Sequence, residues 1–156
     1  MIANANAVFV DTNILIRATI TSAPLHAQAR TNLDELAESG AELWISPQVI
    51  REYMSNVTRE QSYSQAVPMA QVLEQIQRFR TSFRVAEETT AVLDQMLALA
   101  AAVPLRGKQV HDVNIVAVML AYQIPQLLTH NTADFKQFSN LIRIIPLERA
   151  EPSAYS

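Results

Sequence analysis

Four acidic residues sit where apolar segments give way to polar ones. Asp11 directly follows the run Ala7–Val10. Glu52 lies six residues into a segment opened by Ser46-Pro47. Asp112 opens the apolar stretch ending at Tyr122, and Asp134 follows Gln126–Thr129 after a few polar residues. Carboxylates drawn together repel, and their pKa values rise unless a cation neutralises them. Oxygen donors in a chain without cysteine select hard ions, magnesium, manganese or calcium, over zinc. Such ions activate a water and stabilise the attacking and leaving oxygens of a phosphodiester. Metal-assisted phosphodiester hydrolysis is therefore the chemistry these residues could support. Asn131 adds a neutral oxygen donor near Asp134.

Each acid also has a plainer role open to it. Asp11 or Thr12 can cap a helix after the first strand, and Asp112 can serve the macrodipole of its own helix. Glu52 can be a solvated helix residue, and Asp134 can cap the turn before Phe135. His111 and His130 flank two of the acidic segments and read as hydrogen-bonding neighbours rather than zinc ligands.

The elements that must position these residues follow from periodicity and punctuation. Ala7–Val10, Leu43–Ile45, Gln126–Thr129 and Leu141–Ile145 read as short strands. His26–Glu38 reads as a helix stopped by Gly40. Ser46 is an expected N-cap with Pro47 at the first helical position, and that helix runs to about Val57. Its stripe is Val49, Ile50, Tyr53, Met54 and Val57, with Glu52 just outside it. Arg59–Ala66 reads as a loop. Pro68–Phe83 is amphipathic through Met69, Val72, Leu73, Ile76, Phe79 and Phe83, and Glu87–Ala102 through Val92, Leu93, Met96 and Leu97. Pro104–Val110 is a loop, Asp112–Tyr122 a helix apolar nearly all round, and Ala133–Phe138 a helical turn. Strands alternating with helices predict an α/β fold: a short central parallel sheet covered by helices on both faces. Ligand sites of such sheets gather beyond the carboxyl ends of the strands, where Asp11, Asn131 and Asp134 fall.

The bulk numbers set limits. A chain of 156 residues suits one domain, expected over 1–150, with 151–156 as a frayed tail. Hydrophobic residues at 49% and charged residues at 17% fit a globular core. With no cysteine, disulfides and thiolate chemistry are excluded, and with only Gly40 and Gly107 no glycine-rich phosphate loop exists. The longest apolar run, Ile115–Tyr122, falls short of the roughly 18 to 20 residues that span a bilayer. The first residues lack a basic region before their apolar run, so a cytoplasmic protein without a signal peptide is expected. Net charge is −3, unlike most dedicated nucleic-acid binders. An RNA partner would need either metal ions or a local basic rim, for which Arg78, Arg80, Arg84, Arg106 and Lys108 are candidates.

Four segments in order resemble one known family. VFVDTNILIRA at Val8–Ala18, SPQVIREY at Ser46–Tyr53, and GKQVHDVNIVAVMLAYQIPQLLTHNTADF at Gly107–Phe135 look like the motifs of PIN domains. The small size looks most like the VapC toxins of toxin–antitoxin pairs. The resemblance implies a PIN-like three-layer sandwich with metal-dependent endoribonuclease activity using magnesium or manganese. It places the family's catalytic and metal-binding acids on Asp11, Glu52, Asp112 and Asp134, with Thr12, Asn13, Thr129 and Asn131 in support. It further implies an RNA substrate, an antitoxin that inserts into the active-site groove, and a homodimer. The stretch 54–103 is longer than in the shortest members, which leaves the RNA-contacting surface less defined than the acids.

Other functions stay open on sequence alone. A strand followed by Asp-x-Asp would mark phosphotransfer through an aspartyl intermediate, but Asn13 stands in place of the second acid. A PIN nuclease that processes RNA without an antitoxin fits the same residues. So does a non-catalytic PIN-like module that binds RNA or protein.

Overall fold

Val8, Phe9 and Val10 have no exposed surface and form the central strand, β1 (Val8–Val10). The computed structural model describes residues 2–147. On one side β1 pairs with β2 (Leu43–Ile45), which pairs with β3 (Arg84–Val85). On the other side it pairs with β4 (Gln126–Thr129), which pairs with β5 (Arg143–Pro146). Every pairing is parallel, and the order is β3-β2-β1-β4-β5. Strands buried on both faces need no alternation, so VFV and QLLT read as near-continuous apolar runs. The expected α/β sandwich of a central parallel sheet flanked by helices is what the chain adopts.

The helices are α1 (Thr12–Thr19), α2 (His26–Glu38), α3 (Pro47–Val57), α4 (Met69–Ser82), α5 (Thr90–Ala102), α6 (Gln109–Tyr122) and α7 (Thr132–Phe135). A 3-10 turn over Lys136–Phe138 follows α7. Helix α6 is the most buried: Val113 and Ile115–Met119 are almost fully enclosed. Phe135 and Phe138 anchor the short α7 region in the core.

Several boundaries differ from the sequence reading. β3 was not expected. Its two residues directly follow the cap of α4, and Arg84 is exposed, so no apolar run marks it. Gln126–Thr129 is therefore the fourth strand, not the third. Helix α5 starts at Thr90 rather than Glu87, because Thr89 caps it by accepting a hydrogen bond from Val92 N at 3.4 Å. Helix α6 starts at Gln109, which puts Asp112 inside the first turn rather than at its opening. β5 begins two residues later than expected, since Leu141 and Ile142 still donate to the Phe138 carbonyl. Pro146 is tolerated at the end of that edge strand. Ser46 occupies the N-cap of α3, but its buried Oγ makes no capping bond. On α4, Val72, Ile76 and Phe79 are buried while Met69 and Leu73 face outward; on α5 only Val92 is fully buried, and Leu93 and Leu97 are exposed.

The expected domain end at 150 and the tail over 151–156 lie outside the described residues. Among the described residues no helix is long and apolar enough to cross a membrane.

Candidate active site

The strand order reverses between β1 and β4, the position where an open parallel sheet leaves a crevice at its carboxyl end. Val10 is in register with Leu128, and Asp11 N donates to the Leu128 carbonyl at 3.0 Å. Asp11 thus leaves the sheet beside Thr129. Its carboxylate is buried, with 6% of the residue exposed. Oδ1 accepts from Thr12 N at 2.8 Å, and Oδ2 accepts from Thr129 Oγ1 at 2.8 Å and Asn13 Nδ2 at 3.1 Å. Asn13 Oδ1 in turn accepts from His130 N at 2.9 Å. Asp11 does cap α1, as one reading allowed, but its second oxygen is held by two side chains from different elements.

Glu52 comes to the same place from α3. Its Oε2 accepts from Thr12 Oγ1 and its Oε1 from Gln48 Nε2, both at 2.8 Å. Gln48 sits one turn earlier on the same face of α3 and is 5% exposed. The same Nε2 donates to the His111 carbonyl at 2.9 Å, and Asn114 Nδ2 donates to Gln48 Oε1 at 2.7 Å. Gln48 and Asn114 were not singled out from sequence. A signal existed for Gln48, one turn before Glu52 on the same face of α3; Asn114 reaches the site only through Gln48 and carries no such mark. His111 contributes its backbone here and His130 its amide, the neighbour role expected of both.

Asp112 differs from the other two. It is half-buried and accepts no hydrogen bond from another described residue. Burial pushes its carboxyl up to about 6, and repulsion by Asp134, Asp11 and Glu52 adds to this. Burial likewise pushes Asp11 up to about 6. Its hydrogen bonds from Thr129 and Thr12 oppose the rise, and the charge on Glu52 reinforces it. Among the described residues, no lysine or arginine forms an ion pair with any of the four acids.

Two adjoining hollows divide the site. A cleft of about 520 Å³ is lined by Asp11, Thr12, Asn13, Glu52, Asp112 and Asn131, with Arg51 of α3 and Arg59, just past that helix, along its wall. The second hollow holds Asp134 beside Lys136 and Gln109, and Asp112 is common to both. Asp11, Glu52, Asp112, Thr12, Asn13 and Asn131 are therefore brought together, with Thr129 fully buried beneath Asp11. Asp134 is exposed and stands across Asp112 from the rest. Asn131 was expected to orient either Asp11 or a metal-bound water, and the Asp11 carboxylate is held by Asn13 and Thr129. The hydrogen bond Asn131 brings to this group is from its own N–H to Thr129 Oγ1 at 3.1 Å. None of Arg78, Arg80, Arg84, Arg106 and Lys108 lines the main cleft. Arg84 instead pairs with Glu42 at 3.3 Å.

Among the described residues, no three acidic or imidazole groups are gathered closely enough to cage an ion by themselves. The donor set still fits magnesium or manganese. Magnesium keeps several waters and takes only one or two carboxylates, and Asp11 and Asp112 offer two carboxyls, both raised by burial, facing one cleft.

The PIN-domain family model matches residues 8–141. The chain belongs to the PIN-domain family. Solved structures share the fold of this PIN domain. VapBC2 from Rickettsia felis, bound to a DNA fragment from its promoter, superposes with a TM-score of 0.69 at 19% identity, covering 91% of this chain and 99% of the other. A toxin–antitoxin complex from Klebsiella pneumoniae gives 0.59 at 22%, covering 92% and 99%. The sarcin-ricin loop cleaving toxin VapC20 of Mycobacterium tuberculosis gives 0.58 at 21%, covering 77% and 86%. At these identities the likeness is one of fold. No curated protein matches the chain significantly in sequence.

Proposed function

We propose that this PIN domain is a magnesium- or manganese-dependent endoribonuclease acting as the toxin of a toxin–antitoxin pair. The observation that carries the reading is the pair Asp11 and Asp112. Two carboxyls raised to about 6, with no lysine or arginine paired to either among the described residues, face one cleft at the crevice of a parallel sheet. Such a pair is poorly suited to a purely structural role and well suited to hold a dication. The bound ion would lower the pKa of an attacking water and neutralise charge at the scissile phosphate.

The chain's own residues have separate tasks. Asp11 and Asp112 would hold the ion. Glu52, fixed by Thr12 and Gln48, would keep a carboxylate at the cleft wall, within reach of a proton on a water bound there. Thr129 and Asn13 keep the Asp11 carboxylate from turning away. Asp134, in the neighbouring hollow, would serve a second and weaker ion that shares Asp112. A relative that cleaves the sarcin-ricin loop supports strand cleavage by this fold, and the toxin–antitoxin complexes support an antitoxin partner.

An antitoxin segment bearing arginine or lysine would neutralise the same acids. A second copy of the chain is the other proposed partner, and Leu93 and Leu97, exposed one turn apart on α5, supply an apolar face for it. Incubation with single-stranded RNA, with magnesium and then with EDTA, tests the nuclease. Overexpression with and without any small gene found adjacent to its own tests the toxin role. Harmless overexpression with no binding neighbour would remove the toxin role and leave the nuclease standing.

A further inference from the structure

The cleft has two unlike walls. Its floor carries the acids, while its other wall presents Arg51 and Ser55, one turn apart on α3, and Arg59 just past the end of that helix, with Glu52 and Asn56 alongside. Arg51 is partly committed, since its guanidinium lies 3.6 Å from Glu88. Arg59 is not. Its Nε donates to the Ser55 carbonyl at 2.9 Å, which pins the guanidinium against the helix end. Its two Nη groups make no ion pair or hydrogen bond with another described residue.

We propose that Arg59, with Arg51 beside it, is a phosphate-binding subsite that lays the RNA backbone along α3 and delivers the next strand segment to the acids. This deepens the nuclease reading above and rests on it. Arg59 is seven residues beyond Glu52, past the end of α3, on the rim of the same cleft. A phosphate held there is a neighbour of the scissile one on the same strand, not the scissile group itself. A guanidinium offers paired donors to phosphate oxygens. The charge pattern separates the two parts of the cleft: the acids attract a dication or a basic side chain, whereas Arg59 attracts a phosphate. The subsite also accounts for RNA binding by a chain of net charge −3. The basic residues are not numerous, but two of them stand at the cleft.

The test is the salt dependence of RNA binding. Fluorescence anisotropy of a short labelled single-stranded RNA is read in EDTA, and the same slope is read from kcat/KM in magnesium. Each phosphate contact on a single strand adds about 0.7 to the slope of log affinity against log salt. Arg59→Gln should lower the slope by about that amount and raise KM with little change in kcat. Arg59→Lys should keep the slope, and Arg106→Gln, outside the cleft, should match the wild type. An unchanged slope in Arg59→Gln, in a protein that still cleaves RNA, overturns the subsite alone. A wild type that neither binds nor cleaves RNA overturns the subsite together with the nuclease.

Discussion

Gln48 Nε2 donates to Glu52 Oε1 at 2.8 Å, one turn apart on α3, and the same amide reaches the backbone of α6 through His111 O at 2.9 Å. A single side chain thereby sets the spacing between the helix that carries Glu52 and the helix that carries Asp112. Asn114 closes the arrangement from the α6 side by donating to Gln48 Oε1 at 2.7 Å.

Removing that bridge should loosen Glu52 without touching it. Gln48→Ala leaves the Asn114 amide and the His111 carbonyl short of a partner, at an expected cost of about 1–3 kcal/mol in stability. The larger effect should be on catalysis. Groups that orient metal-site residues typically matter by roughly 10- to 100-fold, so kcat should fall by that range with KM little changed. Kinetics measured well below the melting temperature separate the two effects. A variant that melts earlier but turns over normally would reduce Gln48 to a packing residue.

The raised carboxyls make a prediction about stability and pH. Asp11 and Asp112 sit near 6 when folded, against 3.8 for an ordinary aspartate. A carboxyl whose folded pKa is raised binds its proton more tightly in the folded state, so deprotonation opposes folding. The penalty is complete above about 6 and fades as pH falls toward 3.8. Metal-free Asp112→Asn should therefore melt above the wild type at neutral pH, and the gap should close as the solution is acidified. Asp11→Asn should gain less, because its new amide would face the Asn13 amide that now donates to Oδ2. Melting curves across that pH window, in chelator, decide the matter. A lower melting temperature for Asp112→Asn at neutral pH would make Asp112 a structural residue.

Asp134 stands apart from Asp11 in a second hollow that shares Asp112. It should act on a weaker ion, not on the one held by Asp11. Asp134→Asn should raise the magnesium concentration needed for half-maximal cleavage, and high magnesium should restore much of the rate. Asp11→Asn should not be rescued. An unchanged magnesium requirement for Asp134→Asn would leave it as part of the α7 turn only.

Much of this was legible in the chain because each principal acid sits where an apolar pattern ends. VFV before Asp11 reads as a buried strand, and its carboxyl end is where such sheets place their ligands. Glu52 was readable as a flank position beside Val49. What escaped depended on tertiary pairing. β3 is two residues long and half polar, and it exists because Trp44 and Ile45 offer it a ladder. Gln48 carries a local cue in its i−4 spacing to Glu52, but its bridge to α6 carries none, since those partners lie 63 and 66 residues away. The choice of Asn13 over Asn131 as the orienting amide was set by the β1–β4 register, which no local pattern encodes. The outward turn of Leu93 and Leu97 was equally hidden, because the α5 segment is apolar on more than one side.

Those two leucines bear on assembly. Leu97 is 55% and Leu93 49% exposed, an unusual outlay of apolar surface for a lone helix face. If α5 is where two copies meet, Leu97→Glu should convert a dimer to a monomer in sedimentation or light scattering while leaving the fold intact by circular dichroism. A wild type that is monomeric at high concentration, or a Leu97→Glu protein that remains dimeric, would place the contact elsewhere or remove it.

The central claim is that Asp11 and Asp112 cut RNA through a bound dication, and the most direct measurement is cleavage of single-stranded RNA by purified protein under metal control. Wild-type protein should cleave with magnesium or manganese and stop in excess EDTA. Asp11→Asn and Asp112→Asn should each be slower by at least about a hundredfold, the scale of a lost catalytic electrostatic contribution. Cleavage that persists undiminished in excess chelator, or that survives both substitutions at the wild-type rate, would contradict the account.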